Sequence, residues 1–122
     1  MSKTEIENSL HFLKTSRRSH QRFSYETVVT LHIAEKDIPG STSNLSLGGA
    51  FVNFEGNIQV GDTISLTLTL PGVPKETVPA EVKWVCPRSE SETGCGLSFM
   101  HLSDMAMNAI INLCANEELR RV

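Results

Sequence analysis

Hydrophobic and polar residues alternate over several short stretches of the chain, which is the pattern of β-strands with one buried and one solvated face. In residues 63–70 (TISLTLTL), every second residue is Ile or Leu and the residues between them are Thr or Ser. A Pro-Gly pair follows, as expected for a turn. Residues 27–34 (TVVTLHIA) show the same period and are rich in β-branched residues. Both stretches are therefore predicted to be strands.

Three further segments carry strand chemistry: residues 45–56 (LSLGGAFVNFEG), 77–87 (TVPAEVKWVCP) and 94–102 (GCGLSFMHL). The polar residues 88–93 (RSESET) separate the last two segments and predict the tip of a hairpin. Residues 37–43 (DIPGSTS) are rich in turn formers, so they are predicted to connect two strands rather than to form one.

The end of the chain changes to a helical period. Ser103 or Asp104 can cap a helix. A buried stripe is predicted at positions i, i+3, i+4 and i+7, formed by Met107, Ile110, Ile111 and Cys114. Trp84 and the methionines Met100, Met105 and Met107 are expected to pack this helix against the strands, and a surface for a partner is the other interpretation.

Five or six antiparallel strands followed by one helix predict a mainly β protein. We expect a small closed or nearly closed β-barrel with a C-terminal α-helix, because closure leaves no exposed strand edge. Residues 1–16 form a polar arm with apolar residues spaced for one or two helical turns. Residues 17–122 then make a single domain, which fits a chain of 122 residues.

Composition and charge narrow the classes of function. The formal net charge of −3 disfavours a broad nucleic-acid surface, which needs many distributed cations, so no nucleic-acid partner is expected. The chain contains no apolar run long enough to cross a bilayer, and its first residues lack a signal-peptide core, so we expect a cytoplasmic protein without membrane insertion. The three cysteines and four histidines lack metal-ligand spacing, so no metal site is expected.

Arg17, Arg18 and Arg22 form a local basic cluster just before the first predicted strand. Residues four apart lie on the same side of either a helix or an extended segment, so the side chains of Arg18 and Arg22 are expected to converge. A guanidinium matches a phosphate, or the O6/N7 edge of guanine, with two parallel hydrogen bonds. The cluster suits a small anion. Taken alone, the cluster favours a solvated basic segment over an anion site, because RxxxR by itself is a weak signal.

A second stretch, NLSLGG, places Asn44 and Ser46 two residues apart at the entry to a strand, where their side chains would share one face. The Asn amide carries both a donor and an acceptor, as the edge of a nucleobase requires, and Ser adds a hydroxyl. Gly48 and Gly49 permit a positive φ or a close approach of backbone to a ligand. A turn or bulge without any ligand is the other interpretation.

Together the two stretches resemble the PilZ domain family, whose ligand is the bacterial second messenger cyclic di-GMP. The family pattern is RxxxR followed further along the chain by [D/N]xSxxG. Residues 18–22 (RSHQR) and 44–49 (NLSLGG) match both halves without a substitution. The predicted strands also resemble those of the family in order and pattern, so the resemblance covers roughly residues 15–118.

The resemblance implies a six-stranded PilZ-like barrel with a C-terminal helix and a ligand held on the barrel surface. It assigns Arg18 and Arg22 to phosphates and guanines, Asn44 and Ser46 to hydrogen bonds with a guanine, and Gly49 to the backbone shape of the site. Gly48 is included with Gly49 as a ligand-binding residue.

Arg17 lies directly before the first motif, where an arginine would stack on a second, intercalated cyclic di-GMP molecule. The implied function is that of a receptor rather than an enzyme. Cyclic di-GMP would be its ligand, with no cofactor, and binding would order the N-terminal arm and change the surface shown to an unknown protein partner.

Three alternatives remain from the sequence. A PilZ-type adaptor would bind a protein but no nucleotide, although such relatives usually lack the motif arginines that this chain retains. A barrel for single-stranded nucleic acid needs aromatic and basic residues interleaved across one face, and the chain has one Trp and one Tyr. An enzyme is disfavoured because NLSLGG is not the GxSxG nucleophile motif and no paired carboxylates are present.

Overall fold

The computed structural model of the protein describes the backbone of residues 22–120 and the side chains of residues 22–116. The polar arm predicted for residues 1–16, and its boundary at residue 17, lie outside the described residues. Residues 22–120 contain seven strands and one helix: β1 Phe23–Ser24, β2 Val28–Ile33, β3 Lys36–Leu45, β4 Gly49–Glu55, β5 Thr63–Leu68, β6 Glu76–Pro87, β7 Glu92–Phe99 and α1 Asp104–Arg120.

The strands form one antiparallel sheet that closes on itself. Its order is β1-β3-β2-β5-β6-β7-β4, and an additional pairing of β3 with β4 completes a ring of six strands. The two-residue strand β1 pairs with the end of β3 and so extends the edge of β3 beyond β2. The fold-class prediction of a six-stranded antiparallel barrel with a C-terminal helix is therefore confirmed.

The interior of the barrel is filled by the apolar positions of the alternating strands. In β5, Ile64, Leu66 and Leu68 are buried while the Thr and Ser residues between them face outward, as the sequence period predicts. Burial of one such side chain stabilises the fold by about 1.5–3 kcal/mol. The residues opposite from other strands include Leu31, Val52, Val82 and Leu97.

The prediction that residues 37–43 form a connection is wrong, because they lie within the ten-residue strand β3. The true turn is at Ala34 and Glu35, whose φ angles are 48° and 66°. Two successive positive φ values characterise the tight turn of a two-residue hairpin, which usually contains Asn-Gly or Asp-Gly. No such signal marks Ala34-Glu35, so local sequence rules placed the turn too late.

Pro39 is tolerated inside β3 because of its place in the hydrogen-bond pattern. Ile33 and Lys36 flank the two-residue turn, and hydrogen-bonded pairs alternate from there, which makes Thr30 and Pro39 a non-hydrogen-bonded pair. The missing N–H of Pro39 thus faces away from β2. Pairing with β4 begins only at Gly40, so proline occupies the unpaired part of this edge, where it also discourages pairing with another chain.

Helix α1 begins as predicted. The Ser103 hydroxyl accepts a hydrogen bond from the backbone N–H of Ala106 at 3.1 Å, and both the backbone N–H and the hydroxyl of Ser103 donate to the Glu76 carboxylate on β6. This network fixes the start of the helix against the barrel.

The buried face of α1 is rotated relative to the prediction. Met107 and Ile111 are only half-buried, and Met100 and Met105 are exposed, so their expected packing role is wrong. The small residues Ala106 and Ala109 allow the helix to approach the strands closely. The buried face of the helix is therefore formed by Ala106, Ala109, Ile110 and Cys114.

We expect iodoacetamide to modify half-buried Cys86 in the folded protein and to spare Cys95. Cys95 is fully buried, and burial raises the pKa of its thiol from 9.0 to about 11, so the reactive thiolate stays scarce below about pH 11. Mass spectrometry of digested samples at pH 8 and 9 measures both sites. Labelling in urea is the control, where both should react. Equal labelling of the two cysteines in the folded protein would contradict this assignment.

Candidate functional site

The second motif forms the turn between β3 and β4, which we call the motif turn (residues 44–49). Asn44 is the penultimate residue of β3, and Gly49 is the first residue of β4. The backbone N–H of Ser46 donates to the Gly49 carbonyl at 2.8 Å. The Ser46 hydroxyl accepts from the N–H groups of Gly48 and Gly49, each at 3.2 Å. One side chain therefore holds the shape of the turn.

Ser46 does not share an exposed face with Asn44, contrary to the sequence expectation. β3 ends at Leu45, so the period of two no longer applies at residue 46. The Ser46 side chain turns inward, is only 4% exposed, and also reaches the Gly49 carbonyl at 3.4 Å. In this structure its hydrogen bonds are made to the backbone of the motif turn.

Gly48 and Gly49 are needed for different reasons, and neither adopts a positive φ. A Cβ at Gly49 would overlap the carbonyl oxygen of Leu97 on β7, so the strands could not approach closely enough to pair. The backbone of Gly49 thus approaches the protein's own strand. Gly48 is exposed, and the nearest atom to a Cβ there would be the Ser46 hydroxyl at 3.9 Å.

Arg22 of the first motif contacts Asn44 of the second. The Nη1 group of Arg22 donates to Oδ1 of Asn44 at 2.9 Å. The following residue, Phe23, is 5% exposed within the core, and β1 pairs Phe23 with Leu45 and Ser24 with Asn44. The buried phenyl ring and the strand pairing together place the guanidinium over the outer face of β3.

A buried hydroxyl fixes the chain that follows β1. Thr42 is 2% exposed; its hydroxyl donates to the Tyr25 carbonyl and accepts from the Thr27 N–H at 3.0 Å. The pairing of β3 with β4 shifts register between Thr42 and Asn44, which is a β-bulge. Ser43, at this bulge, accepts a hydrogen bond from the Asn53 side chain at 2.7 Å. The bulge therefore helps to direct Asn44 outward beside Arg22.

Of the predicted ligand-binding residues, the structure brings Arg22 into contact with Asn44 and places Ser46, Gly48 and Gly49 in the adjoining turn. Arg17 and Arg18 lie outside the described residues.

A second cluster, which was not expected from the sequence, lies on the same outer face. Phe51 is the cross-strand partner of Asn44, and its ring stacks on Trp84 with centroids 5.0 Å apart. The guanidinium carbon of Arg88 lies 4.7 Å from the Phe51 ring centroid. Trp84 is 45% exposed on the outside of the barrel, so the expectation that it packs the helix against the strands is wrong. We call this cluster the Arg88–Phe51–Trp84 stack.

Two glycines in β7, Gly94 and Gly96, explain why the rings of Phe51 and Trp84 can lie on the outer face of the sheet. A Cβ at Gly96 would overlap the Trp84 ring, and a Cβ at Gly94 would lie 2.6 Å from Phe51 Cζ. Without side chains at these two positions, both rings lie directly on the sheet. The GCG sequence of residues 94–96 was a usable signal, because two glycines on one face of a strand leave room for aromatic neighbours.

An open groove of about 510 Å³ lies beside the start of the β3–β4 pairing. Its lining includes Ile38, Pro39, Ser41, Glu55 and Glu92. The two carboxylates disfavour an anionic ligand there. The surface around Asn44, which carries the Arg22 guanidinium, is therefore the better anion site.

The described part of the chain contains neither a metal-binding group of side chains nor a helix able to span a membrane. Residues 22–116 hold no group of three or more His, Cys, Asp or Glu side chains arranged to bind a metal ion. Over residues 22–120, no helix combines the length and apolar character needed to cross a bilayer.

Comparison with known families places this geometry in context. The sequence model of the PilZ domain family matches residues 16–116. This range includes the arginines of the first motif and the motif turn. The chain belongs to the PilZ family. PilZ domains are ligand-binding and adaptor domains and are not a known enzyme family. Comparison with curated protein sequences gives no significant match.

Several solved structures share the fold of this PilZ domain. The PilZ domain of YcgR from Escherichia coli, solved with c-di-GMP, has a TM-score of 0.62 at 15% identity and covers 87% of this chain and 95% of that one. MotI/DgrA, the inhibitor of motility from Bacillus subtilis, has a TM-score of 0.69 at 19% identity, covering 81% of this chain and 50% of that one.

PlzA from Borreliella burgdorferi, in complex with c-di-GMP, has a TM-score of 0.59 at 13% identity and covers 88% of this chain and 45% of that one. The chain thus spans half or less of MotI/DgrA and PlzA. At these identities the similarity establishes the fold.

The two motif glycines provide a matched test of the site's architecture. Gly49→Ala should destabilise the protein by about 1–3 kcal/mol, because its Cβ would overlap the Leu97 carbonyl. Gly48→Ala should change stability by less than about 0.5 kcal/mol, since the nearest atom to the added methyl group is the Ser46 hydroxyl at 3.9 Å, an ordinary contact distance. Urea unfolding measures both. Similar losses in the two variants would show that Gly49 is not required for close strand pairing.

Proposed function

We propose that the protein is a cyclic di-GMP receptor that binds the nucleotide on the outer face of β3, between the first motif and the motif turn. The observation that carries this proposal is the contact of Arg22 with Asn44, because it joins the two halves of the family pattern at one surface. The complexes of the YcgR PilZ domain and of PlzA with c-di-GMP support the choice of ligand.

The chemistry of the contact suits a guanine nucleotide. Arg22 uses its Nη1 group on Asn44, and the rest of its guanidinium fork remains for a phosphate or a guanine edge. The Asn44 amide offers a donor and an acceptor to a base. Arg18 adds a second guanidinium for the ligand. Ser46, with Gly48 and Gly49, completes the site, with Ser46 acting through the shape that it imposes on the motif turn.

The charge distribution favours a compact anion. The chain is acidic overall, with a formal net charge of −3, so it repels a long polyanion while a local cluster of guanidinium groups attracts a small one. Cyclic di-GMP is a dianion with two guanines. A few charge-assisted hydrogen bonds and base contacts are sufficient to hold it.

The signal is proposed to pass through the segment before β1. Ligand contacts made by Arg17 to Arg22 exist only when this segment lies over the motif turn, so ligand binding shifts the population toward that arrangement. The changed surface is then presented to a protein partner in the cytoplasm. An adaptor that binds no nucleotide is the alternative. Calorimetric titration of the parent protein with cyclic di-GMP distinguishes the two.

Arg22→Ala should weaken cyclic di-GMP binding by about ten-fold or more, because charge-assisted hydrogen bonds contribute about 1.5–3 kcal/mol. Asn44→Ala should weaken it by about two- to ten-fold, as expected for a neutral hydrogen bond. Isothermal titration calorimetry gives both affinities, with cyclic di-AMP as the comparison ligand.

Lys36→Ala is the matched control, since it removes one positive charge at the β2–β3 turn, away from the motif turn. It should leave the affinity within about two-fold. Absence of cyclic di-GMP binding by the parent protein would reject the receptor proposal and favour the adaptor. Parent-like affinity in folded Arg22→Ala would reject the role given to that residue.

Arg17 is proposed to hold a second, intercalated nucleotide. The parent protein should therefore bind two cyclic di-GMP molecules per chain, and Arg17→Leu should bind one, because leucine cannot supply the planar guanidinium that stacks on a base. The stoichiometry of the same titrations tests this. A single bound nucleotide in the parent protein would rule out the intercalated pair.

A further inference from the structure

Arg88 is a further cation on the outer face and belongs to neither family motif. Arg88 follows β6 directly, and its backbone N–H donates to the Glu92 carbonyl at 2.9 Å across the β6–β7 turn. Its guanidinium carbon lies 4.7 Å from the centroid of the Phe51 ring. Arg88 is exposed, and within residues 22–116 it forms no salt bridge with a carboxylate. An arginine stacked on a ring keeps its in-plane N–H donors for another partner.

The support beneath Arg88 is fixed. Phe51 is 3% exposed although it points away from the barrel interior, because Trp84 and Arg88 cover its ring. Gly94 leaves the space for both neighbours: a Cβ there would lie 2.6 Å from Phe51 Cζ and 3.0 Å from Arg88 Nε. The guanidinium is therefore held at a defined place on the sheet rather than at the end of a free side chain.

Arg88 and Arg22 approach the same strand pair from opposite sides. Arg22 donates to Asn44 on β3, and Asn44 is the cross-strand partner of Phe51 on β4, which carries Arg88. Neighbouring strands are about 5 Å apart, so a patch from β3 to β7 is about 10 Å wide. Two guanidinium groups thus flank one patch with an amide and an aromatic ring between them.

We propose that Arg88 is a ligand-binding residue of this site and donates hydrogen bonds to the second phosphate of the cyclic dinucleotide. This proposal rests on the proposed function. A cyclic dinucleotide carries its two phosphates on opposite sides of one ring. A ligand whose first phosphate is bound by Arg22 therefore directs the second phosphate away from β3, across Phe51 and toward Arg88. The cation also lowers the repulsion that a dianion meets on an acidic protein.

Arg88→Met is the test variant, because methionine retains an apolar chain over Phe51 and removes the charge and the donors. It should bind cyclic di-GMP about ten-fold more weakly than the parent protein, as expected for a lost charge-assisted contact. The affinity of Arg88→Lys for cyclic di-GMP should lie between those of the parent protein and Arg88→Met, since lysine keeps the charge without the planar fork. Lys36→Met removes one charge at the β2–β3 turn and should change the affinity by less than about two-fold.

The single tryptophan of the chain gives an independent measurement. Trp84 stacks on the same ring as Arg88 and is 45% exposed, so a ligand held by Arg88 should shield it from acrylamide. Fluorescence quenching in the parent protein should fall on saturation with cyclic di-GMP. The protection should be smaller in Arg88→Met at saturating ligand. A purely structural role for Arg88 would shift the unfolding temperature without changing this protection.

The outcomes separate the two proposals. If the parent protein binds cyclic di-GMP, Arg22→Ala weakens binding and Arg88→Met binds like the parent, the role of Arg88 is overturned while the receptor function stands. Equal losses in Arg88→Met and Lys36→Met would also overturn it, because the effect would then come from net charge alone. No binding by the parent protein would overturn both proposals.

Discussion

Strand β3 is paired along both of its edges, and the rest of the structure depends on this double pairing. One edge carries β2 and then β1, and the other carries β4, which closes the ring of six strands. The same pairing places the residue after Arg22 in the core and Asn44 opposite β1. Barrel closure and the contact of Arg22 with Asn44 therefore both depend on β3, the first through its edge with β4 and the second through its edge with β1.

A local cationic surface lies on a protein that is acidic overall. Arg22 and Arg88 lie on the two sides of the Asn44–Phe51 pair. Glu55 and Glu92 line the groove beside Ile38 and Pro39, and the Glu92 carbonyl also accepts the Arg88 backbone N–H. Fields from exposed charges fall off within about 10 Å at ordinary salt concentrations. A small anion on the outer face is therefore influenced mainly by the nearby guanidinium groups, whereas a long polyanion would also meet the acidic remainder.

Glycines contribute to this fold mainly because a side chain at their positions would clash with a neighbouring group. Gly49 allows β4 to reach β7, and Gly94 and Gly96 let two aromatic rings lie on the sheet. The only consecutive positive φ values among residues 22–120 belong to Ala34 and Glu35, which are not glycines. The strain of that turn is offset by the pairing of β2 with β3 along six residue pairs, so tertiary contacts sustain a conformation that the local sequence does not favour.

Features that depend on neighbouring residues alone were determined by the sequence. The period of two in β5, the cap at Ser103 and the residue pattern within each motif are local, and they sufficed for the barrel, the helix and the family. Strand β3, the inward turn of Ser46 and the outward position of Trp84 were decided by the tertiary structure. Each depends on a partner distant in the chain or on a strand ending where pairing ends. Such partners are set by how strands pack, because the alternation of residues along a strand does not specify which strand lies beside it.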